Sequence, residues 1–177
     1  MRRINAFSLR CISLVVLLSA ITASTLYAQN GGFQSQIDRR AVEIQERVVE
    51  WRRHFHEHPE LSNRETETAA YVAERLRALN IDVTTGVAHT GVVGVLEGGQ
   101  PGPVVGLRAD MDALPVKERV DVPFASTATG TYNGETVPVM HACGHDAHMA
   151  MLLGAATILS EMRDELPGTV SPLYVPV

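Results

Sequence analysis

The chain has 177 residues, enough for one ordinary domain, and its 45% hydrophobic and 20% charged residues suit a globular fold rather than a disordered segment. Its formal net charge is −5 and no dense Lys/Arg patch stands out, which argues against a nucleic-acid surface.

The first residues read as a leader. Arg2, Arg3 and Arg10 give a positive start, an apolar run follows from Cys11 to Ala23, and Leu26-Tyr27-Ala28 precedes polar residues. That layout predicts a secretory signal over residues 1–28, cleaved after Ala28, and a secreted or periplasmic location with no membrane attachment after cleavage. The rival, an uncleaved anchor, fits less well because the run is shorter than the ~20 apolar residues of a membrane span. Residues 29–36 read as a polar spacer.

The spacing then predicts a helix over residues 37–58. Ile37, Ala41, Ile44, Val48, Trp51 and Phe55 form one apolar stripe, and Pro59 stops it. His54, His56 and His58 alternate near its end. Residues two apart do not share a helix face, so only His54 and His58 could act together; histidines favoured by the helix C-terminus are the simpler reading. A second helix is predicted over residues 66–79, with Ser62 and Glu65 as a capping box and Asn80 as its stop.

The period then changes. Residues 81–85 alternate like a strand, 91–96 are β-branched and bounded by Gly, residues 98–103 are turn-forming, and 104–107 read as a buried strand. Residues 124–138 read as a loop, and the apolar run from Met149 as a buried helix. The expected fold is α/β, a mixed β-sheet with flanking helices.

Two stretches carry chemistry. Asp110 and Asp112 leave the third strand at its carboxyl end, where sites on open α/β sheets form. A polar turn capped by Asp would look the same. The second stretch, His141-Ala-Cys-Gly-His-Asp-Ala-His148, packs three imidazoles, one thiol and one carboxylate into eight residues. Borderline-soft divalent ions prefer thiolate and imidazole, and Gly144 lets the chain turn tightly between them. Once the leader is removed, Cys143 is the lone thiol of a chain expected in an oxidising compartment, and metal ligation accounts for it. A buried free Cys and a redox thiol are the alternatives; no partner Cys supports the latter.

The motifs Trp51-Arg-Arg-His-Phe-His-Glu-His-Pro-Glu-Leu-Ser, Gly106-Leu-Arg-Ala-Asp-Met-Asp-Ala-Leu-Pro and Met140-His-Ala-Cys-Gly-His-Asp-Ala-His together resemble the M20 metallopeptidases. The match is to the branch of hippurate hydrolase, N-acyl-amino-acid and indole-acetyl-amino-acid amidohydrolases, over roughly residues 38–170. The resemblance implies the N-terminal part of a di-metal catalytic domain, with the lid domain absent. It implies two divalent ions (Zn, Mn, Co or Ni), with Cys143 and His145 as ligands. It implies Asp112 as the catalytic group that orients the site, and Asp110 as a supporting neighbour. The implied reaction is hydrolysis of the amide of a small N-acyl amino acid or peptide by metal-activated water.

The family's next segment supplies a general-base Glu and a further ligand, and here residues 171–177 read differently. An atypical tail is therefore expected after a partial catalytic domain of residues 37–170. Pro172 and Pro176 are expected to fit a strand poorly. This polypeptide is expected to be inactive alone, with a homodimer only in a full-length form. A metallo-carboxypeptidase or dipeptidase, or a non-catalytic metal-binding remnant, stands as the alternative.

Overall fold

The computed structural model describes the backbone of residues 6–177 and side chains from residue 32 onward. The expected leader, with Cys11, thus lies outside the described side chains. Two compact units divide the chain, Met1–Val42 and Glu43–Val177. The first helix, α1, spans Ala6–Glu57 and includes the residues expected to form a spacer. Local pairs support the helical backbone there: Gln34 Nε2 donates to Asp38 Oδ1 at 2.9 Å and Ser35 Oγ to the Gly32 carbonyl at 2.9 Å. Among the described residues no helix is long and apolar enough to cross a membrane.

The second unit holds α2 (Thr66–Ala78), β1 (Asp82–Val87), β2 (Gly91–Glu97), β3 (Gln100–Asp110), β4 (Thr129–Tyr132), β5 (Glu135–Pro138), α3 (His145–Glu161) and β6 (Pro167–Val175). Four strands form one sheet in the order β1-β2-β6-β3. β2 pairs antiparallel with β1 and β6, and β3 pairs parallel with β6, so the sheet is mixed as expected. The parallel pair requires a crossover, and α3 lies within it.

The helices cover the sheet with apolar residues at helical spacing. Phe55 of α1, Val72 and Leu76 of α2, and Met149 and Leu153 of α3 meet Val92, Leu96, Ala109 and Tyr174 of the strands in one buried cluster. α1 comes close to α3 at Gly154, where a Cβ would stand 2.9 Å from Val48 Cγ2.

Three expectations are corrected. Glu65 does not close a capping box. It is fully buried, and its carboxylate accepts from Thr90 Oγ1 at 2.5 Å. Glu60 caps α2 instead, accepting from the amides of Thr68 at 2.8 Å and Glu67 at 3.2 Å. Within residues 124–138 the expected loop contains a hairpin, β4 and β5, closed by Asn133 and Gly134, both at positive φ. Asn-Gly is the sequence that two-residue hairpin turns favour, because both positions must be left-handed.

The third correction concerns the tail. β6 continues through Pro172, which is fully buried, inside the sheet. Proline gives β2 no amide. The Gly94 carbonyl takes the Ser171 hydroxyl at 2.7 Å, and Gly94 leaves room for the ring: a Cβ there would lie 2.8 Å from Pro172 Cγ and 3.0 Å from Ile81 Cγ2. Gly94→Ala should therefore destabilise the chain by about 1–3 kcal/mol in urea unfolding through overpacking. In a Pro172→Ala background the same substitution should cost clearly less, since the rigid neighbour is gone.

Candidate metal centre

The site gathers at the carboxyl end of β3 and the start of α3. Beyond β3, the Met111 amide donates to the Val175 carbonyl of β6 at 2.9 Å, which holds the chain to the sheet immediately before Asp112. On the other side the chain makes an isolated bridge between Leu114 and Met140, which brings the 141–148 stretch back beside Asp112. Gly144, left-handed at φ 85°, is the N-cap of α3. Its conformation is what the tight turn between Cys143 and His145 required.

His145 is held by Asp112. Its Nδ1 lies 2.9 Å from the Asp112 carbonyl oxygen and 2.9 Å from Asp112 Oδ1. Oδ1 nevertheless has no hydrogen-bond partner, so the N–H points at the carbonyl and the carboxylate oxygen lies off its axis. A carbonyl can only accept, so Nδ1 carries the proton and Nε2 presents its lone pair. That is the tautomer and the supporting contact typical of a metal-ligating histidine. Cys143 is exposed and in no disulfide, and His148, also exposed, has its ring 5.8 Å from that of His145.

Asp110 takes a different partner. Its Oδ1 accepts from Arg108 Nε at 2.8 Å and Nη2 at 2.7 Å, two positions earlier on the same strand face. Asp112 and His145 are thus brought together, whereas Asp110 is directed to Arg108.

Beneath these groups lies a polar network that the spacing of single residues did not reveal. Asp146, in the first turn of α3, is almost fully buried. Its Oδ2 accepts from Arg52 Nε at 2.8 Å and from His56 Nδ1 at 2.8 Å, both from the end of α1. The other ring nitrogen of His56, Nε2, meets Glu118 Oε2 at 2.9 Å. The Val120 amide chiefly, with help from His56, holds the Glu118 carboxyl below its ordinary range. Arg52 and His56 are four apart on α1 and so share a face. That spacing, inside the Trp51–Ser62 motif, was the available signal for the pair.

His141 is also buried, and neither ring nitrogen has a hydrogen-bond partner. Burial pushes its pKa down to about 4, against the pull of the Asp146 charge, with His56, His145 and Arg52 adding to the drop. Among the described residues no three His, Cys, Asp or Glu side chains converge on one ion. The donors present still fit a metal. An exposed thiol stands two residues from an imidazole of the ligating tautomer, and an unpartnered carboxylate oxygen lies beside that imidazole. Together they number fewer than the roughly three protein ligands a catalytic zinc site keeps.

Residues 106–176 match the family described as Peptidase family M20/M25/M40. Thermostable carboxypeptidase 2 of Saccharolobus solfataricus is 48% identical over 135 residues, 76% of this chain and 32% of that protein. The N-acyl-L-amino acid amidohydrolase of Geobacillus stearothermophilus is 45% identical over 141 residues, 80% of this chain and 36% of that protein. The fold matches the Bacillus subtilis YXEP protein, described as a dinuclear metal binding peptidase from the M20 family. Its TM-score is 0.68 at 39% identity, over 76% of this chain and 36% of that one. The chain spans about a third of the length of the curated relatives it matches.

Two outcomes are expected. His56→Leu should destabilise the chain by about 2–4 kcal/mol in urea unfolding, because it removes a partner from a buried carboxylate. Glu118→Gln, at the outer end of the network, should cost much less. In chelator-treated protein, His141 binds fewer protons folded than unfolded between its ordinary pKa of 6.5 and about 4. Stability should therefore be full above pH 6.5 and fall as pH drops through that window, and a chemical-denaturation series across pH should flatten in His141→Phe.

Proposed function

The chain belongs to the M20 peptidase family over the part it spans, and from that premise we propose that it carries part of the catalytic centre of a metal-dependent amidohydrolase acting on N-acyl amino acids. The observation that carries the reading is the His145 imidazole held by Asp112, two residues from the exposed Cys143 thiol. Two divalent ions of the Zn, Mn, Co or Ni class are the proposed cofactors, with Cys143 and His145 among their ligands. When bound, such ions supply a water of lowered pKa and an electrophile for the scissile carbonyl.

The chain's own residues prepare the place for this. Asp112 fixes the His145 ring and leaves Nε2 to ligate. Gly144 turns the backbone so that the thiol and the imidazole flank one helix terminus. Asp146, tied to α1, fixes that first turn from below. Asp110, paired with Arg108, acts only as a neighbour that holds the strand end.

The described residues offer two proposed ligands, whereas a catalytic zinc keeps about three from the protein. The general base and remaining ligands therefore come from sequence outside these residues, and the 177-residue chain alone is proposed to be inactive. Secretion by way of residues 1–28, and a homodimer restricted to a complete form, are part of the same proposal. A carboxypeptidase is the second reading, favoured by the 48% identical thermostable carboxypeptidase.

A chimera joining residues 38–170 to the remainder of an M20 catalytic domain tests the proposal. It should hydrolyse N-benzoyl or N-acetyl amino acids only with divalent metal, and Cys143→Ser or His145→Ala should lower kcat/KM at least ~100-fold together with metal content. Unchanged metal content and turnover in Cys143→Ser would sink it. Preference for peptides with a free C-terminal residue would select the carboxypeptidase reading, and turnover by the unmodified 177-residue chain would refute its inactivity.

A further inference from the structure

Between the last turns of α1 and the first turns of α3 lies a cavity of about 300 Å3. Its walls are apolar: Val48 and Val49 come from α1, Ala150 and Met151 from α3. Two of these are open to solvent, Val49 at 39% and Met151 at 57% of their surface. Apolar side chains left exposed around a concavity mark a place that binds something. The volume lies at the low end for ligand pockets, which suits a small molecule rather than a peptide chain.

The polar part of the lining is cationic. Arg52 and Arg53 both border the cavity, and their guanidinium carbons stand 5.3 Å and 5.1 Å from the centroid of the Phe124 ring. The ring attracts both cations and so restrains two long side chains. Arg52 is compensated, since its Nε donates to Asp146 at 2.8 Å. The Arg53 guanidinium has no hydrogen bond or ion pair among the described residues. The carboxylates nearby are already engaged, Asp146 with Arg52 and His56, Glu118 with His56 and the Val120 amide. An apolar pocket thus carries one cation that no protein group neutralises.

We propose that this cavity binds a small monocarboxylate with an apolar body, aryl or short alkyl, its carboxylate on Arg53 and its body against Val49, Ala150 and Met151. The guanidinium fork matches a carboxylate and stays charged at any working pH. The Met151 thioether adapts to either kind of body and makes favourable contacts with aromatic rings. Inorganic anions would gain nothing from the apolar walls, and neutral apolar molecules would gain nothing from Arg53. None of the lining residues is a proposed metal ligand and binding needs no metal, so the site stands or falls separately from the amidohydrolase reading.

Benzoate titration of the full 177-residue chain, treated with chelator and followed by 1H–15N NMR, tests this. Benzoate should bind with a Kd of about 1 mM or below and shift the amides of Val49, Arg53 and Met151. Benzamide, which has the same shape without the charge, should bind at least ~fivefold more weakly. Arg53→Gln should weaken benzoate at least ~fivefold and leave benzamide unchanged, whereas Arg53→Lys should keep most of the affinity. Met151 is exposed, so Met151→Glu should fold normally and weaken benzoate at least ~fivefold by repulsion. A smaller difference in any of these comparisons, or amide shifts confined to residues 141–146, would overturn the proposal. Self-association that Met151→Glu abolishes, with no benzoate shifts, would overturn it as well, because it assigns the apolar patch to a second copy of the chain.

Discussion

A buried carboxylate at the start of a helix is the constraint on which the site depends. Asp146 sits in the first turn of α3, where the helix dipole favours a negative charge, and two donors from α1 serve the same oxygen. A charge at that depth is tolerated only when paired, so α3 cannot shift relative to the end of α1 without exposing an uncompensated ion. Because Gly144 and His145 immediately precede Asp146, fixing the carboxylate fixes the turn that aims the thiol and the imidazole. His56 then extends the restraint outward to Glu118, which ties the loop after Asp112 to the same point.

The sheet supplies the other half of the placement. β6 lies between β2 and β3, and its parallel pairing with β3 carries on to the Val175 carbonyl, which receives the Met111 amide. Asp112 follows at once. The orientation of His145 is thus traceable to a central strand, and that strand tolerates Pro172 because a glycine faces the ring and a serine hydroxyl serves the carbonyl left without an amide. Two local sequence features, at Gly94 and Ser171, make an unpromising segment compatible with a sheet interior.

The three alternating histidines of α1 divide by helical geometry into different environments. His56 turns inward and becomes part of the buried network. His54 and His58 turn toward α2 and meet at its surface. A two-residue offset on a helix is about 200° of rotation, which is why a run that looks like one cluster in sequence becomes two places in space.

Sequence alone determined what depends on short-range pattern. The stripes of α1 and α2 follow from apolar residues at three- and four-residue steps, the strands from β-branched runs between glycines, and the thiol–imidazole pair from a mixture of donors that packing does not call for. The Asn133-Gly134 turn is equally legible, since that dipeptide favours the left-handed positions of a two-residue hairpin turn. What only the tertiary structure decided is which groups meet across long separations. Glu60 rather than Ser62 caps α2, Asp146 rather than a ligand receives His56 across 90 residues, and Asp112 rather than Asp110 reaches His145. Such choices turn on which of several chemically equivalent side chains the packed core brings within 3 Å, and a hydrogen bond that short range cannot be inferred from spacing along the chain.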